Sequence, residues 1–113
     1  MMNASVKGTN LDLTPAIKDY IAKKMDMAEK FLGGREVTFC EVEVELTTNH
    51  HNKGQIFRAE ANLQVGGDLL RAEKTGEDLY AAIDLMKDQL IDAIKKIKEK
   101  NLSKRREGMK ENE

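Results

Sequence analysis

Two hydrophobic rhythms alternate along the chain. From Met2 to Gly8, residues Met2, Ala4 and Val6 fall on one side and Asn3, Ser5 and Lys7 on the other. That period of two predicts a half-buried strand. Gly8-Thr9-Asn10 follows with turn chemistry. Thr14-Pro15 then marks a helix start: Thr can cap free backbone N–H groups, and Pro at the first helical position needs no donor. Ile17, Ile21, Met25, Ala28 and Leu32 recur every three or four residues, and Gly33-Gly34 closes the helix.

The period of two returns from Val37 to Thr47. Cys40, Val42, Val44 and Leu46 face one way; Glu41, Glu43 and Glu45 face the other. Ile56 to Val65 repeats the pattern, with Phe57, Ala59, Ala61, Leu63 and Val65 inward and Arg58, Glu60, Asn62 and Gln64 outward. Gly66-Gly67-Asp68 predicts a hairpin turn into a short strand, Leu69 to Lys74. Thr75-Gly76-Glu77-Asp78 resembles a capping box, with Asp at the place of the usual Glu or Gln. Leu79, Ile83, Met86, Leu90, Ile94 and Ile97 then give a second helix, expected to end near Lys100.

The predicted order is β-α-β-β-β-α, a two-layer α+β sandwich. A strand–helix–strand crossover makes the first two strands candidates for parallel pairing, and hairpins join the rest. One apolar sheet face and two apolar helix stripes put both helices on the same side of a four-stranded sheet. Residues 1–100 form one domain; 101–113 reads as a charged tail, without apolar period and disordered by its composition.

Composition narrows the function classes. At 113 residues the chain is one domain, and its single cysteine cannot make an internal disulfide. No apolar run approaches the roughly 18 residues of a membrane span and no signal-peptide pattern opens the chain, so a cytoplasmic domain is expected. Charged residues are 35%, yet the net charge is only −1. That sum conceals a dipole. Residues 1–85 carry 10 basic and 14 acidic side chains, and residues 86–113 carry 9 basic and 6 acidic. Ile94 to Arg106 holds seven cations against Glu99 alone: Lys95, Lys96, Lys98, Lys100, Lys104, Arg105 and Arg106. Complementing a helix dipole needs two or three, so phosphate binding stands beside that reading.

On a helical wheel, Lys87 and Lys98 flank one side of the last apolar stripe and Lys96 and Lys100 the other. Asp84, Asp88 and Asp92 run opposite the stripe, which directs a polyanion to the flanks, near the groove against the first helix. In that first helix Lys24 lies inside the apolar arc, among Tyr20, Ile21, Ala28 and Phe31. Its stem is expected to cover the core edge, a position compatible with an ammonium head in the inter-helix groove. Lys23 and Lys30 lie beside it.

Enzyme chemistry finds no support. Glu41, Glu43 and Glu45 are the wet side of a strand, with Arg58 and Lys53 placed to compensate them. His50-His51 are adjacent, which is not ligand spacing; neither a metal nor a cofactor is expected. Cys40 reads as a buried structural thiol. Neither glycine pair matches a phosphate loop. The sheet lacks the aromatic pairs of an RNA recognition motif, whereas helices on one side of a hairpin sheet are analogous to double-stranded RNA-binding domains.

Two stretches carry a family likeness. The first is Val6-Lys7-Gly8-Thr9-Asn10, then Leu13-Thr14-Pro15-Ala16-Ile17, Tyr20 and Lys23-Lys24. The second is Gly76-Glu77-Asp78-Leu79-Tyr80-Ala81-Ala82-Ile83-Asp84, followed by Leu90, Lys96, Lys98 and Lys100. Over about residues 2–100 the chain resembles the ribosome hibernation promoting factor family, also described as ribosome-associated inhibitor or sigma-factor modulation proteins. The resemblance implies a non-enzymatic stress protein that binds the small ribosomal subunit near the decoding centre, excluding messenger and transfer RNA. It matches Lys24, Lys96, Lys98 and Lys100 to basic positions that meet ribosomal RNA. Placement and charge add Lys7, Lys23, Lys74, Lys87 and Lys95.

The chain departs from the family pattern at Gln89 and Asp92, where many members carry Lys or Arg. Ending at 113, it also resembles a short form without the second, ribosome-pairing domain, expected to be monomeric off the ribosome. No membrane or small-molecule partner is expected. An alternative reading is a protein-interaction module that modulates a transcription factor through the acidic sheet face.

Overall fold

In the computed structural model the backbone is described for residues 3–47 and 54–111, and side chains within those ranges as far as Leu102. Expectations at Met2, His50, His51 and Lys53, and for the side chains of Lys104, Arg105 and Arg106, lie outside the described residues.

Local chemistry sets the element ends. Strand β1 spans Ser5–Thr9. Gly8 belongs to the strand rather than to the turn: a Cβ there would lie 2.9 Å from Leu13 Cγ and 3.1 Å from the Leu11 carbonyl, so the loop crosses where no side chain stands. The turn falls on Asn10, whose φ of 60° suits Asn better than most side chains. Helix α1, Pro15–Glu29, starts as expected, with Thr14 Oγ1 accepting the Ile17 N–H at 3.2 Å. A 3₁₀ turn over Lys30–Leu32 follows, and Gly33 ends it in the left-handed conformation at φ 63°.

Strands β2, Val37–Thr47, and β3, Ile56–Val65, occupy the predicted ranges. A bulge between Val37 and Phe39 leaves Thr38 exposed, so Cys40 faces inward without Thr38 beside it on that face. Gly66-Gly67 forms the two-residue turn, with Val65 paired to Asp68. Strand β4 runs Asp68–Gly76, past the predicted Lys74. Thr75 and Gly76 are therefore strand, pairing with Arg58 and Phe57. The capping box read from Thr75 is not formed; the first helical bond instead joins the Ala82 N–H to the Asp78 carbonyl at 3.0 Å.

Helix α2 spans Leu79–Glu111. It does not stop near Lys100: the predicted tail continues the helix through Glu111. The apolar period ends where burial ends, but helicity needs no burial once a helix is nucleated. Residues 99–107 contain neither Gly nor Pro. Asn101, with its amide oxygen toward Arg35, accepts from both terminal guanidinium nitrogens at 3.0 and 3.2 Å. That pair fastens the helix, one residue beyond Lys100, to the loop after α1.

The sheet order is β1-β2-β3-β4, with β1 parallel to β2 and the other pairs antiparallel. This is the predicted α+β architecture. One core joins Ile21, Met25 and Ala28 of α1, Val42, Val44 and Leu63 of the sheet, and Ile83, Met86, Leu90 and Ile94 of α2. Ala59, Ala61 and Ala72 are buried on the strands that α2 covers, and their small side chains let the helix lie close. Burial of each large side chain contributes about 1.5–3 kcal/mol. Cys40 is in this core, its thiol pushed up to about 11 by burial and, secondarily, by Glu29 and Glu41.

The other sheet face gathers its charges around one arginine. Arg58 meets Glu43 at 2.7 Å, Glu45 at 2.8 Å, Glu60 at 2.7 Å and Glu73 at 3.3 Å. Register explains the cage: Glu45 lies directly opposite Arg58, while Glu43 and Glu73 flank Glu60 on the neighbouring strands. Thr9 donates to Glu43 at 2.6 Å and Asn62 to Glu60 at 2.8 Å. The carboxyl of Glu60 is held down to about 2, chiefly by the Asn62 amide, against the opposing effect of burial.

Candidate nucleic-acid interface

Helices α1 and α2 run side by side in the same direction. Tyr20 and Lys24 of α1 reach Tyr80 and Asp84 near the start of α2. Phe31, in the turn after α1, meets Lys95 fifteen residues later in α2. These contacts define a groove between the helices, and the expected position of the Lys24 head is found there.

Lys24 is not free, however. Its Nζ lies 3.0 Å from Asp84 Oδ1 and 5.0 Å from the centre of the Tyr20 ring. The Tyr20 hydroxyl donates toward both Asp84 oxygens at 2.8 Å. Asp84 is thus displaced from the outer acidic ridge expected of it; only about 120° from the middle of the stripe on the wheel, it turns into the groove, where a cation and a phenol await it. Burial disfavours its charge, but the Lys24 and Tyr20 hydrogen bonds win and lower its pKa. The same contact raises Tyr20 above its ordinary 10.0, because a phenolate would face the carboxylate. In a Tyr80→Phe background, leaving Tyr20 as the remaining tyrosine, Asp84→Asn is expected to lower the phenol midpoint in an ultraviolet titration. An unmoved midpoint would show that the carboxylate does not hold the phenol.

The nine lysines expected to meet RNA fall into three places. Lys24, Lys87, Lys95 and Lys98 lie on the groove side of the helices, with Lys23 next to them on the exposed face of α1. Of these, Lys87 bonds Asp88 at 2.7 Å, and Lys98 Nζ lies 3.6 Å from where a Cβ on Gly33 would stand. That puts Lys98 at the carbonyl end of the preceding helical turn, where a cation is favoured. Lys96 and Lys100 occupy the opposite flank of α2, with Lys74 on the neighbouring edge strand. Gln89 identifies this flank, since its Oε1 accepts the outward-facing Glu73 N–H at 2.9 Å. Gln89 thereby supplies an acceptor that closes part of a sheet edge. Lys7 lies elsewhere, on the open sheet face opposite Glu43.

Lys23, Lys74, Lys95, Lys96 and Lys100 are exposed. Sequence reasoning passed over Tyr20 and Tyr80 as a pair, whose rings meet edge to face at 4.8 Å. A signal was present: both helices carry an aromatic residue four positions before a charge, Tyr20 with Lys24 and Tyr80 with Asp84. Among the described residues no group of three or more His, Cys, Asp or Glu is placed to hold a metal. No helix there is long and apolar enough to cross a membrane.

A mixed four-stranded sheet, two co-directional helices on one face and lysines along both helix flanks define a small α+β binding domain. The model of the sigma 54 modulation protein / S30EA ribosomal protein family matches residues 4–102, and the chain belongs to that family. It is 34% identical to the ribosome hibernation promoting factor of Klebsiella oxytoca over 99 residues, covering 88% of this chain and 96% of that one. It is 31% identical over 105 residues to the ribosome hibernation promotion factor of a Picosynechococcus species, covering 92% of this chain but about half, 53%, of the longer relative. The crystal structure of the Thermus thermophilus Protein Y N-terminal domain superposes with a TM-score of 0.71 at 32% identity, covering 85% of this chain and 99% of that domain.

Proposed function

We propose that the chain is a ribosome hibernation factor that acts by occupancy rather than by catalysis. It binds the small ribosomal subunit near the decoding centre, places lysines on ribosomal RNA phosphates, and excludes messenger and transfer RNA, so that translation stops under stress. The observation that carries this reading is the family match over residues 4–102, which takes in α1, α2 as far as Leu102 and the cationic flanks. The domain of residues 1–100 works as a cytoplasmic monomer off the ribosome, and the helical extension beyond it adds positive charge near the RNA. Lys96 and Lys100 lead the contact with Lys74 on their flank, and Lys23 and Lys95 extend it on the α1 side. Lys24, Lys87 and Lys98 serve mainly to shape the surface. Lys7 stands outside it.

Co-sedimentation with purified small subunits tests this. With four to six phosphates neutralised, affinity should fall roughly a hundred- to a thousandfold between 50 and 200 mM salt, as counterion release requires. Absence of co-sedimentation at low salt rejects the proposal. The competing reading, a transcription-factor modulator using the acidic sheet face, is weakened by the Arg58 cage, which turns Glu43, Glu45 and Glu60 inward on one cation. It predicts that Glu41→Lys disturbs function more than changes to the helix lysines.

A further inference from the structure

We propose that the groove between α1 and α2 is a stacking track for an unpaired RNA strand, with the rings of Tyr80 and Phe31 as its base platforms. This deepens the proposed function, and rests on it only for the source of the strand.

The inference starts from exposure in one line. Tyr80 is 38% exposed, Phe31 36% and Met27 41%. Scattered apolar residues on a surface are ordinary, but these three share one groove. On the α1 side Tyr20, Lys24, Met27 and Phe31 recur at steps of four, three and four. On the α2 side Tyr80, Asp84, Lys87 and Lys95 continue the same stripe. The rings are held in place: Tyr20 meets Tyr80 edge to face, and Lys95 sits 5.1 Å from the centre of the Phe31 ring. Such platforms lose little freedom when a planar ligand lands on them.

One available cation beside the rings decides the chemistry, since Lys24 is paired with Asp84 and Lys87 with Asp88. A wholly apolar peptide laid in this groove would strip water from ammonium groups without replacing it. Lys95 has no carboxylate among the described residues within ion-pair distance, so its charge is available to a phosphate beside a stacked base. A ring for a base beside a cation for the backbone, as Phe31 with Lys95, is the pairing single-strand binders use. A duplex hides its base faces, which leaves the unpaired strand as occupant. Tyr80 and Lys95 are fifteen residues apart, about 22 Å along α2, so one short strand reaches both ends.

The chain has no Trp and two Tyr, so stacking on Tyr80 can be read in its own emission. The probes are a 12-mer of oligoadenylate and a 12-mer ribose-phosphate chain lacking bases, equal in phosphates. Oligoadenylate should quench tyrosine emission and bind about tenfold tighter than the abasic chain. Tyr80→Leu with Phe31→Leu should reduce oligoadenylate to the abasic level, by anisotropy of a labelled probe, and leave the abasic affinity unchanged. Tyr80→Phe keeps a ring and should bind as wild type does, which separates stacking from loss of structure. Equal binding of the two chains, or full oligoadenylate affinity in the double Leu variant, overturns the proposal. Small subunits separate the two readings. If wild type discriminates the oligomers but does not sediment with subunits, the ribosomal reading fails and the groove stands. If wild type and the double Leu variant sediment alike and the oligomers are not distinguished, the groove fails and the ribosomal reading stands.

Discussion

Lys96→Glu combined with Lys100→Glu should weaken small-subunit binding by about a hundredfold or more at moderate salt, while leaving thermal stability within about 1 kcal/mol of wild type. Both side chains are exposed, on the α2 flank away from α1, and neither is within ion-pair distance of a carboxylate among the described residues. Their replacement therefore removes no internal contact. It removes two phosphate contacts and sets two carboxylates against the RNA backbone. The plot of log affinity against log salt should also become shallower by nearly two units, about one for each lysine lost. Lys7→Glu is the matched control for the single Lys96→Glu change: the same two-unit charge change on the open sheet face should leave sedimentation unchanged. If the two variants weaken binding equally, net charge rather than the α2 flank drives the association. If neither does, the flank is not the contact surface.

This prediction could be framed from sequence because the wheel of an amphipathic helix depends only on spacing. Lys96 and Lys100 fall on a flank whatever the helix packs against. The same logic made β2 and β3 legible residue by residue, since clean alternation leaves one register that buries Val42, Val44, Ala61 and Leu63. Legibility failed where the answer lay in another element. Thr75 and Gly76 carry cap chemistry, yet their pairing with Arg58 and Phe57 extends the strand. The apolar period stops near Lys100, but period reports burial and not helicity, so the solvated continuation to Glu111 left no such trace. Asp84 belongs by spacing to a ridge with Asp88 and Asp92; only the packing of α1 on α2 brings it to Lys24 and Tyr20. Of the lysines, spacing gave their faces and tertiary contact gave their partners.

Arg58→Met should cost about 2–4 kcal/mol at pH 7, and the cost should shrink as pH falls. The guanidinium is 17% exposed and its pKa is raised, chiefly by the Glu45 hydrogen bond. Methionine keeps the stem but leaves Glu43, Glu45, Glu60 and Glu73 facing one another without their shared cation. Removing one partner from a largely buried network costs more than the network contributes over an apolar replacement, because the remaining charges stay desolvated. The sign of the pH dependence follows from the carboxyls. Those of Glu43 and Glu60 are depressed in the folded chain, the latter to about 2. Stability from such groups is complete above their unfolded values, near 4.5, and is lost as pH falls through the folded ones. Between about pH 4.5 and 2 the protonated carboxyls stop repelling and stop needing Arg58, so wild type loses stability faster than the variant and the two unfolding curves converge. Arg71→Met separates cage from surface charge: Arg71 is 63% exposed and touches two of the same glutamates at 3.2 Å, yet should cost less than about 1 kcal/mol. Urea denaturation of the three proteins at pH 7 and pH 3 measures all of this. A gap between wild type and Arg58→Met that stays constant with pH, or an Arg71→Met as damaging as Arg58→Met, would mean that the carboxylates are not organised around Arg58. If the curves do converge, the acidic sheet face is a plate whose charges are spent on one another, and the exposed lysines of the helix side are left to set how the molecule meets a polyanion.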